Sequence, residues 1–119
     1  MPNNNILIVE DDESIREAFK LALEVSGYTV FAASNGQEAV EVLGTMPRPR
    51  LILLDLMMPI MDGWDFVEAI QENALLASIP VVVITAYGEI GKPIRAQRVM
   101  KKPFELKALF KLLEDYRSA

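Results

Sequence analysis

A single aspartate lies between two apolar runs near the middle of the chain. Residues 51–54 are apolar and lead directly into Asp55, after which Leu56 begins a second apolar run. An unpaired carboxylate in apolar surroundings is strongly destabilising, because it loses its hydration without gaining a partner. Asp55 therefore requires compensating partners or a chemical role, and other residues of the chain are candidates for both.

Further polar residues follow other apolar runs of the sequence. The first run ends at three acidic residues, 10–12, a β-branched run ends at Thr85, and the last strand is expected to end near Lys101-Lys102. In a parallel sheet these positions lie at one edge, where the ligand sites of such folds are found. Clustered carboxylates repel unless a cation neutralises them, and acidic oxygens without His or Cys suit Mg²⁺. A hydroxyl and a lysine beside that ion are suited to bind a phosphoryl group.

Apolar periodicity predicts the elements that would position these residues. Short apolar runs predict strands at residues 6–9, 28–33, 51–54 and 81–84, followed by the last strand. Helical spacing predicts helices over residues 13–25, 37–43 and 63–72, and a final amphipathic helix that contains Leu106, Leu109, Phe110 and Leu113. This alternation of strands and helices indicates an α/β domain with a doubly wound parallel sheet.

Composition limits the classes of function. The 119 residues, of which 51% are hydrophobic, fit a single domain. The chain has no cysteine or histidine, which excludes disulfides, the usual zinc sites and catalysis by Ser-His or Cys-His pairs. A net charge of -5 disfavours binding to nucleic acid or anionic membranes, and no apolar run approaches the roughly 20 residues that cross a bilayer. Because residues 1–5 do not resemble a signal peptide, a cytoplasmic protein is expected.

Four motifs together resemble the receiver domains of response regulators, the phosphoacceptor proteins of two-component signalling. The motifs are ILIVEDDESIR at residues 6–16, LILLDLMMPIMDG at 51–63, VVVITA at 81–86 and KP at 102–103. They occur in the order found in the family and span nearly the whole chain. The resemblance implies one receiver domain over residues 1–119, with a flavodoxin-like, five-stranded parallel sheet.

The resemblance implies that Asp55 is the phosphoacceptor. It would attack a phosphohistidine on a sensor histidine kinase or a phosphotransfer protein and form an acyl phosphate. Thr85 would donate a hydrogen bond to the phosphoryl group and Lys102 would pair with it, which stabilises the charge on the transferred oxygens. The chain would phosphorylate and dephosphorylate itself in this way, rather than act as a turnover enzyme.

Mg²⁺ is the cofactor that the resemblance implies. Asp11 and Asp55 would bind the ion directly, Glu10 would hold a metal-bound water, and the backbone carbonyl of Met57 would be a further ligand. Because Mg²⁺ commonly takes only one or two protein carboxylates, waters and the phosphoryl group would complete its coordination.

Other polar residues near these motifs have simpler interpretations. Asp12 and Ser14 are candidates for the N-cap of the first helix, which makes Asp12 peripheral to the metal. Asp62-Gly63 is typical of a turn ahead of a helix.

Two features depart from the family pattern. Val99 occupies the position, three residues before Lys102, where receivers usually carry an aromatic switch residue. Residues 86–97 include two glycines and a proline, which predicts a shortened or irregular fourth helix of at most a turn or two. The family also implies a cis peptide bond between Lys102 and Pro103, with the Lys102 ammonium near Asp55 and Lys101 directed elsewhere.

Two functional hypotheses remain open from the sequence. In the first, phosphorylation makes the domain signal through a separate downstream protein, without binding nucleic acid or a membrane. In the second, the domain is a phosphorylation-independent interaction module with a vestigial acidic pocket. An aspartate phosphohydrolase is disfavoured, because Met57 stands where such enzymes place a second acid. A flavodoxin is disfavoured because no phosphate-binding loop rich in Ser, Thr or Gly follows the first strand.

Overall fold

The computed structural model describes residues 4–56, 58–85, 96, 98–101 and 106–115. Within these ranges the strands are β1 (Asn5–Val9), β2 (Thr29–Ala33), β3 (Leu51–Asp55), β4 (Val81–Thr85) and β5 (Arg98–Lys101). The helices are α1 (Glu13–Val25), α2 (Gly36–Leu43), α3 (Gly63–Gln71), α4 (Ala74–Ala77) and α5 (Leu106–Asp115).

The five strands form one parallel sheet in the order β2-β1-β3-β4-β5. The chain moves from β1 to β2 at one side and then crosses β1 to continue through β3, β4 and β5 on the other side. Residues of α2 and α3 pack on one face of the sheet, whereas residues of α1 and α5 pack on the other. This arrangement confirms the predicted doubly wound, five-stranded parallel sheet.

The core consists of two clusters, because alternate residues of each strand point to opposite faces. Leu7 and Val9 of β1 belong to the cluster beneath α2 and α3, whereas Ile6 and Ile8 belong to the cluster beneath α1 and α5. Every residue of β3 and β4 is buried. Burial on both faces explains why these strands are continuous apolar runs in the sequence. Asp55, at the end of β3, is therefore an acidic residue within an otherwise apolar, buried strand.

Side-chain caps fix the starts of the helices that border the acidic residues. The Asp12 carboxylate accepts a hydrogen bond from the Ile15 N–H at 3.0 Å and begins α1. Asp12 is therefore the N-cap, as predicted, whereas Ser14 lies inside the first turn of the helix.

Gly27, with φ of 98°, follows the end of α1 in a left-handed conformation that glycine adopts readily. No helix among the described residues is long and apolar enough to cross a bilayer.

The structure differs from the predicted elements by one residue at several bounds and by one additional short helix. β3 and β4 each extend one residue further than predicted, so that Asp55 and Thr85 are the last residues of their strands. The sequence prediction also missed α4, which is capped by the Asn73 side chain through the Leu75 N–H at 2.9 Å. A shortened or irregular helix was predicted within residues 86–97, but Ala96 alone of this range is among the described residues. That expectation stays a prediction.

Two arginines join elements at the edge of the sheet where the strands begin. Arg50, which precedes β3 and is 8% exposed, donates a hydrogen bond to the Leu113 carbonyl of α5 at 2.7 Å. Its guanidinium also lies over the Tyr28 ring, 5.5 Å from the ring centroid. The exposed Arg48 donates hydrogen bonds to the carbonyl of Leu75 and to the hydroxyl of Ser78. The hydrogen bond of Arg50 thus joins α5 to the start of β3. The hydrogen bonds of Arg48 join the region of α4 to the connection before β3.

Candidate functional site

The register of the sheet brings the predicted site residues to its carboxyl edge. Val9 of β1 pairs with Leu54 of β3, so the acids that follow Val9 lie beside Asp55. Asp55 pairs in turn with Ile84 of β4, which places Thr85 one residue further along the neighbouring strand. The alignment of three strand ends therefore brings together groups that lie far apart in the sequence.

Three carboxylates form a cluster at this edge. One oxygen from each of Glu10, Asp11 and Asp55 lies within 4.8 Å of the others. Glu10 and Asp55 are buried, whereas Asp11 is exposed. Oxygens bound to opposite sides of one Mg²⁺ ion are about 4.2 Å apart, because each Mg–O distance is about 2.1 Å. The cluster thus has the ligand type and the size for a Mg²⁺ ion with some direct and some water-bridged carboxylates.

Hydrogen bonds hold Glu10 at the start of the loop that leads to α1. Its N–H donates to the Ala33 carbonyl of β2 at 3.0 Å, and its own carbonyl accepts from the Arg16 guanidinium at 2.9 Å. One Glu10 carboxylate oxygen also accepts from the Asp12 N–H at 3.2 Å. Because this oxygen already accepts a hydrogen bond from the backbone of the loop, Glu10 is better suited to contact a metal ion through a water than to bind it directly.

Gly63 allows the chain to return directly to the acceptor strand. The Gly63 N–H donates to the Leu56 carbonyl at 2.9 Å and closes the loop between β3 and α3. A Cβ on Gly63 would lie 2.8 Å from the Leu56 Cα and 3.0 Å from the Asp55 carbonyl oxygen. Both are backbone atoms, so the clash could not be relieved by rotating a side chain. The sequence interpretation treated Gly63 only as a turn residue and missed this contact.

The same loop is fixed to the rest of the domain on both sides of its tip. Met58 is buried in the cluster beneath α2 and α3, and Met61 packs against that cluster. The Met61 carbonyl accepts a hydrogen bond from the Gly36 N–H at 3.0 Å. A Cβ on Gly36 would lie 2.7 Å from the Met61 Cγ, so the loop lies directly against the start of α2.

The tip of the loop contains a backbone outlier. The Met61 N–H donates to the Pro59 carbonyl at 2.8 Å, and Ile60 between them has φ of 69°. This combination is the geometry of a tight γ-turn with positive φ, which is rare and strained. Such a φ is an outlier for a β-branched residue. No signal in the sequence indicates it, because isoleucine is typical of an extended or helical backbone.

Thr85 is buried at the end of β4 and pairs in register with Lys101 of β5. Lys102, the next residue, lies outside the described residues, and so do Met57 and the Lys102-Pro103 peptide bond. Their predicted roles and geometry thus stay predictions. Val99 lies within β5 with its side chain exposed.

Comparisons with known proteins agree with this architecture. Residues 6–114 match the family described as the response regulator receiver domain. The chain is 36% identical to "Probable transcriptional regulator ycf27" of Porphyra purpurea, in a match that covers 87% of this chain and 43% of that protein. It is 35% identical to sporulation initiation phosphotransferase F of Bacillus subtilis (strain 168), in a match that covers 98% of this chain and 95% of that protein.

The chain spans less than half the length of several of the curated relatives it matches. Among solved structures, response regulator protein TrrA of Thermotoga maritima, in complex with Mg²⁺-BeF, is similar with a TM-score of 0.84 and 26% identity. That match covers 95% of this chain and 97% of the other. The overall fold is thus shared with a protein whose structure contains Mg²⁺ and a beryllium fluoride group.

Proposed function

The chain belongs to the family of response regulator receiver domains, and we propose that it accepts a phosphoryl group on Asp55. The donor would be a phosphohistidine on a sensor histidine kinase or a phosphotransfer protein. The observation that carries the assignment is the cluster of Glu10, Asp11 and Asp55 at the carboxyl edge of the sheet. Clustered carboxylates repel one another unless a cation neutralises them, which supports a metal-assisted reaction at this edge.

The position of Asp55 supports its proposed role as the nucleophile. Its backbone is held in the ladder with β4, and its side chain, in a residue only 7% exposed, lies at the edge where ligands approach. In the reaction a carboxylate oxygen of Asp55 attacks phosphorus and the P–N bond of the phosphohistidine breaks. The imidazole leaves with the bonding electrons and takes up a proton, and Asp55 becomes an acyl phosphate.

Asp11 and Asp55 would hold Mg²⁺ directly, with Glu10 acting through a water and the Met57 carbonyl as a further ligand. The ion, when bound, supplies positive charge to the phosphoryl oxygens, which is a large part of what phosphoryl transfer requires. The relative from Thermotoga maritima, whose structure contains Mg²⁺-BeF, supports this assignment.

Thr85 and Lys102 would complete the contacts to the phosphoryl group. Thr85 ends β4 beside Asp55, so its hydroxyl is at the correct edge to donate a hydrogen bond. Lys102 follows Lys101, which pairs with Thr85, and the proposed role of Lys102 rests on this place in the sequence and on the family resemblance. Both groups would stabilise negative charge on the transferred oxygens.

The phosphorylated domain would signal through a downstream protein and then lose its phosphoryl group by self-catalysed hydrolysis. This cycle would take place in the cytoplasm, where ATP is available to a histidine kinase. Nucleic acid and membranes are not partners of this domain in the proposal, because its net charge of -5 opposes binding to their phosphates.

Labelling with a small donor tests the proposal. The parent chain is incubated with acetyl phosphate and MgCl₂, and its intact mass should increase by one phosphoryl group that hydroxylamine removes. Asp55→Asn should abolish the labelling, because an amide is not a comparable nucleophile. Asp12→Asn, which retains an oxygen to cap α1, is the matched control and should be labelled like the parent. A parent that stays unlabelled would instead favour the phosphorylation-independent interaction module.

A further inference from the structure

We propose that Arg16 is a positioning residue for the Mg²⁺ site. Its guanidinium fixes the peptide group between Glu10 and Asp11, and this peptide determines where the Asp11 carboxylate lies. The inference rests on the proposed role of Asp11 as a metal ligand, and it adds a residue outside the acidic cluster on which that ligand depends. Arg16 itself contacts neither the ion nor the phosphoryl group in this proposal.

Arg16 contacts the backbone on both sides of Asp11. Its guanidinium donates a hydrogen bond to the Glu10 carbonyl at 2.9 Å. Its backbone N–H donates to the Asp12 carbonyl, also at 2.9 Å. The Glu10 carbonyl carbon is bonded to the Asp11 nitrogen, and the peptide group that they form is planar. A hydrogen bond to the carbonyl oxygen therefore fixes the plane in which the Asp11 nitrogen lies.

The Asp11 carboxylate depends on its backbone for its position. Its side chain is exposed, so packing against the core does not hold it, whereas Glu10 is buried and fixed by its own hydrogen bonds. Mg²⁺ requires near-octahedral coordination by oxygens at about 2.1 Å, so a rotated peptide at Asp11 would move a ligand away from the ion. Groups that orient a metal ligand in this way typically change metal affinity by about ten- to a hundredfold.

The charge of Arg16 and its hydrogen bond have opposite effects on Mg²⁺. The side chain points back toward the start of α1, as helical side chains do, so its positive charge lies near the acidic cluster. A positive charge there repels a divalent cation. Charge alone therefore predicts that removal of Arg16 strengthens Mg²⁺ binding, whereas the hydrogen bond to Glu10 predicts that it weakens binding. The sign of the change separates the two effects.

The test compares the parent with two variants of Arg16 and two matched controls. Arg16→Met removes both the donor and the charge, whereas Arg16→Lys keeps the charge and a donor for a single hydrogen bond. Lys20→Met removes an equal charge from a half-buried residue of α1, about 6 Å further along the helix. Arg48→Met removes a hydrogen bond from a guanidinium to a backbone carbonyl at the edge of the sheet opposite Asp55.

Mg²⁺ affinity is measured without a phosphodonor, through the fluorescence of Trp64 at the start of α3. Arg16→Met should weaken binding about tenfold, because Asp11 loses its support. Arg16→Lys should weaken it about threefold, since an ammonium reaches the Glu10 carbonyl less well than the guanidinium does. Lys20→Met and Arg48→Met should remain within about twofold of the parent, because neither residue contacts the loop that carries the acids in the described structure.

Two further measurements distinguish positioning from a general structural role. In metal-free protein, the NMR shift of the Asp11 amide should change in Arg16→Met and stay close to the parent value in both controls. In labelling with acetyl phosphate, the Mg²⁺ concentration that gives half of the maximal rate should rise about tenfold in Arg16→Met. The rate at saturating Mg²⁺ should stay within about twofold of the parent, because Arg16 does not touch the reacting atoms.

Each other outcome has a defined meaning. Unchanged or tighter Mg²⁺ binding by Arg16→Met overturns the inference, and so does an equal loss in Arg48→Met, which would trace the effect to global stability. A clearly lower labelling rate at saturating Mg²⁺ also overturns it, because Arg16 would then act on the phosphoryl group. If Arg16→Met does not fold, Arg16→Lys decides, and an affinity equal to that of the parent contradicts the inference.

Failure of the proposed function is recognised separately. A parent that binds Mg²⁺ but is not labelled contradicts phosphoryl transfer to Asp55, whereas the order of Mg²⁺ affinities among the variants still decides the role of Arg16. A parent that binds no Mg²⁺ contradicts the inference itself.

Discussion

Gly63 lies against the backbone of Asp55, so closely that a Cβ added to Gly63 would lie only 3.0 Å from the Asp55 carbonyl oxygen. The first residue of α3 is thus packed directly against the last residue of β3. Any side chain at residue 63 would clash with the backbone that carries the acceptor carboxylate.

Gly63→Ala should therefore impair both stability and labelling. The added methyl group must move the Leu56 backbone, and such overpacking typically lowers the free energy of unfolding by about 1–3 kcal/mol. Labelling of Asp55 by acetyl phosphate should slow, because the carboxylate moves with that backbone. Urea unfolding and intact mass measure the two effects.

Gly27→Ala is the control for this substitution. Gly27 has φ of 98°, but no atom lies within 4 Å of the position of an added Cβ. Alanine there is strained and should lower stability, yet it is remote from Asp55 and should leave the labelling rate unchanged. An equal slowing in both variants would show that labelling follows global stability rather than the contact at Gly63.

Asp11→Ala should weaken Mg²⁺ binding at least about tenfold, which is the usual scale for loss of a group at a metal site. The fluorescence of the half-buried Trp64, which follows Gly63 at the start of α3, is the readout of a Mg²⁺ titration. Asp12→Asn, which removes a charge but keeps the cap, should bind Mg²⁺ nearly as well as the parent. Equal weakening by both substitutions would mean that the metal ligand among these acids is wrongly assigned.

Without Mg²⁺, Asp11→Ala should be at least as stable as the parent. The substitution removes one of three carboxylates that lie within 4.8 Å of one another, and like charges at this separation destabilise the folded state. Thermal unfolding in the presence of EDTA measures the difference, and high salt should reduce it by screening. A clear loss of stability on substitution would show that Asp11 has a structural role in the metal-free domain.

Arg50→Met should lower the free energy of unfolding by about 2–3 kcal/mol, since it removes a buried charged hydrogen bond to Leu113 and a cation–π contact with Tyr28. Arg48→Met is the matched control, because Arg48 makes its hydrogen bonds at the exposed surface. It should cost less than about 1 kcal/mol. Urea unfolding compares the two variants, and equal losses would contradict a special role for Arg50.

Phosphorylation should change amide exchange mainly across residues 86–98. Val99 cannot donate the hydrogen bonds or fill the volume of an aromatic switch residue, so we expect the response to phosphorylation to lie in the segment before it. Exchange is compared with and without beryllofluoride and Mg²⁺ as a phosphoryl mimic. Strong protection of this segment already in the unmodified domain would contradict the expectation.

The sequence predicted the elements whose signals are local. The bounds of α1 agree with the structure because Asp12 at its start and Gly27 beyond its end have cap and termination chemistry that acts within a few residues. The acidic cluster was also predictable, because parallel strands bring their carboxyl ends to one edge. Both predictions depended on rules that require no knowledge of distant contacts.

Other features could not be predicted, because they depend on tertiary closure. α4 is too short, at four residues, to show helical periodicity, and only its cap Asn73 indicated a helix start. The φ of Ile60 results from the closure of the loop over Gly36 and Gly63, and no property of isoleucine indicates it. The space that excludes a side chain at Gly63 has the same origin.

The Arg50–Leu113 hydrogen bond bears on how this domain can be fused to another protein. A chain shortened to end before Leu113 would lose a core residue and the carbonyl that accepts the Arg50 hydrogen bond, so a C-terminal fusion joint should follow the last turn of α5. That turn lies at the start of β3, and the five residues of the strand separate it from Asp55 by about 16 Å. The described end of α5 thus lies near the edge of the sheet opposite Asp55, and a domain joined there would be attached away from the acceptor carboxylate.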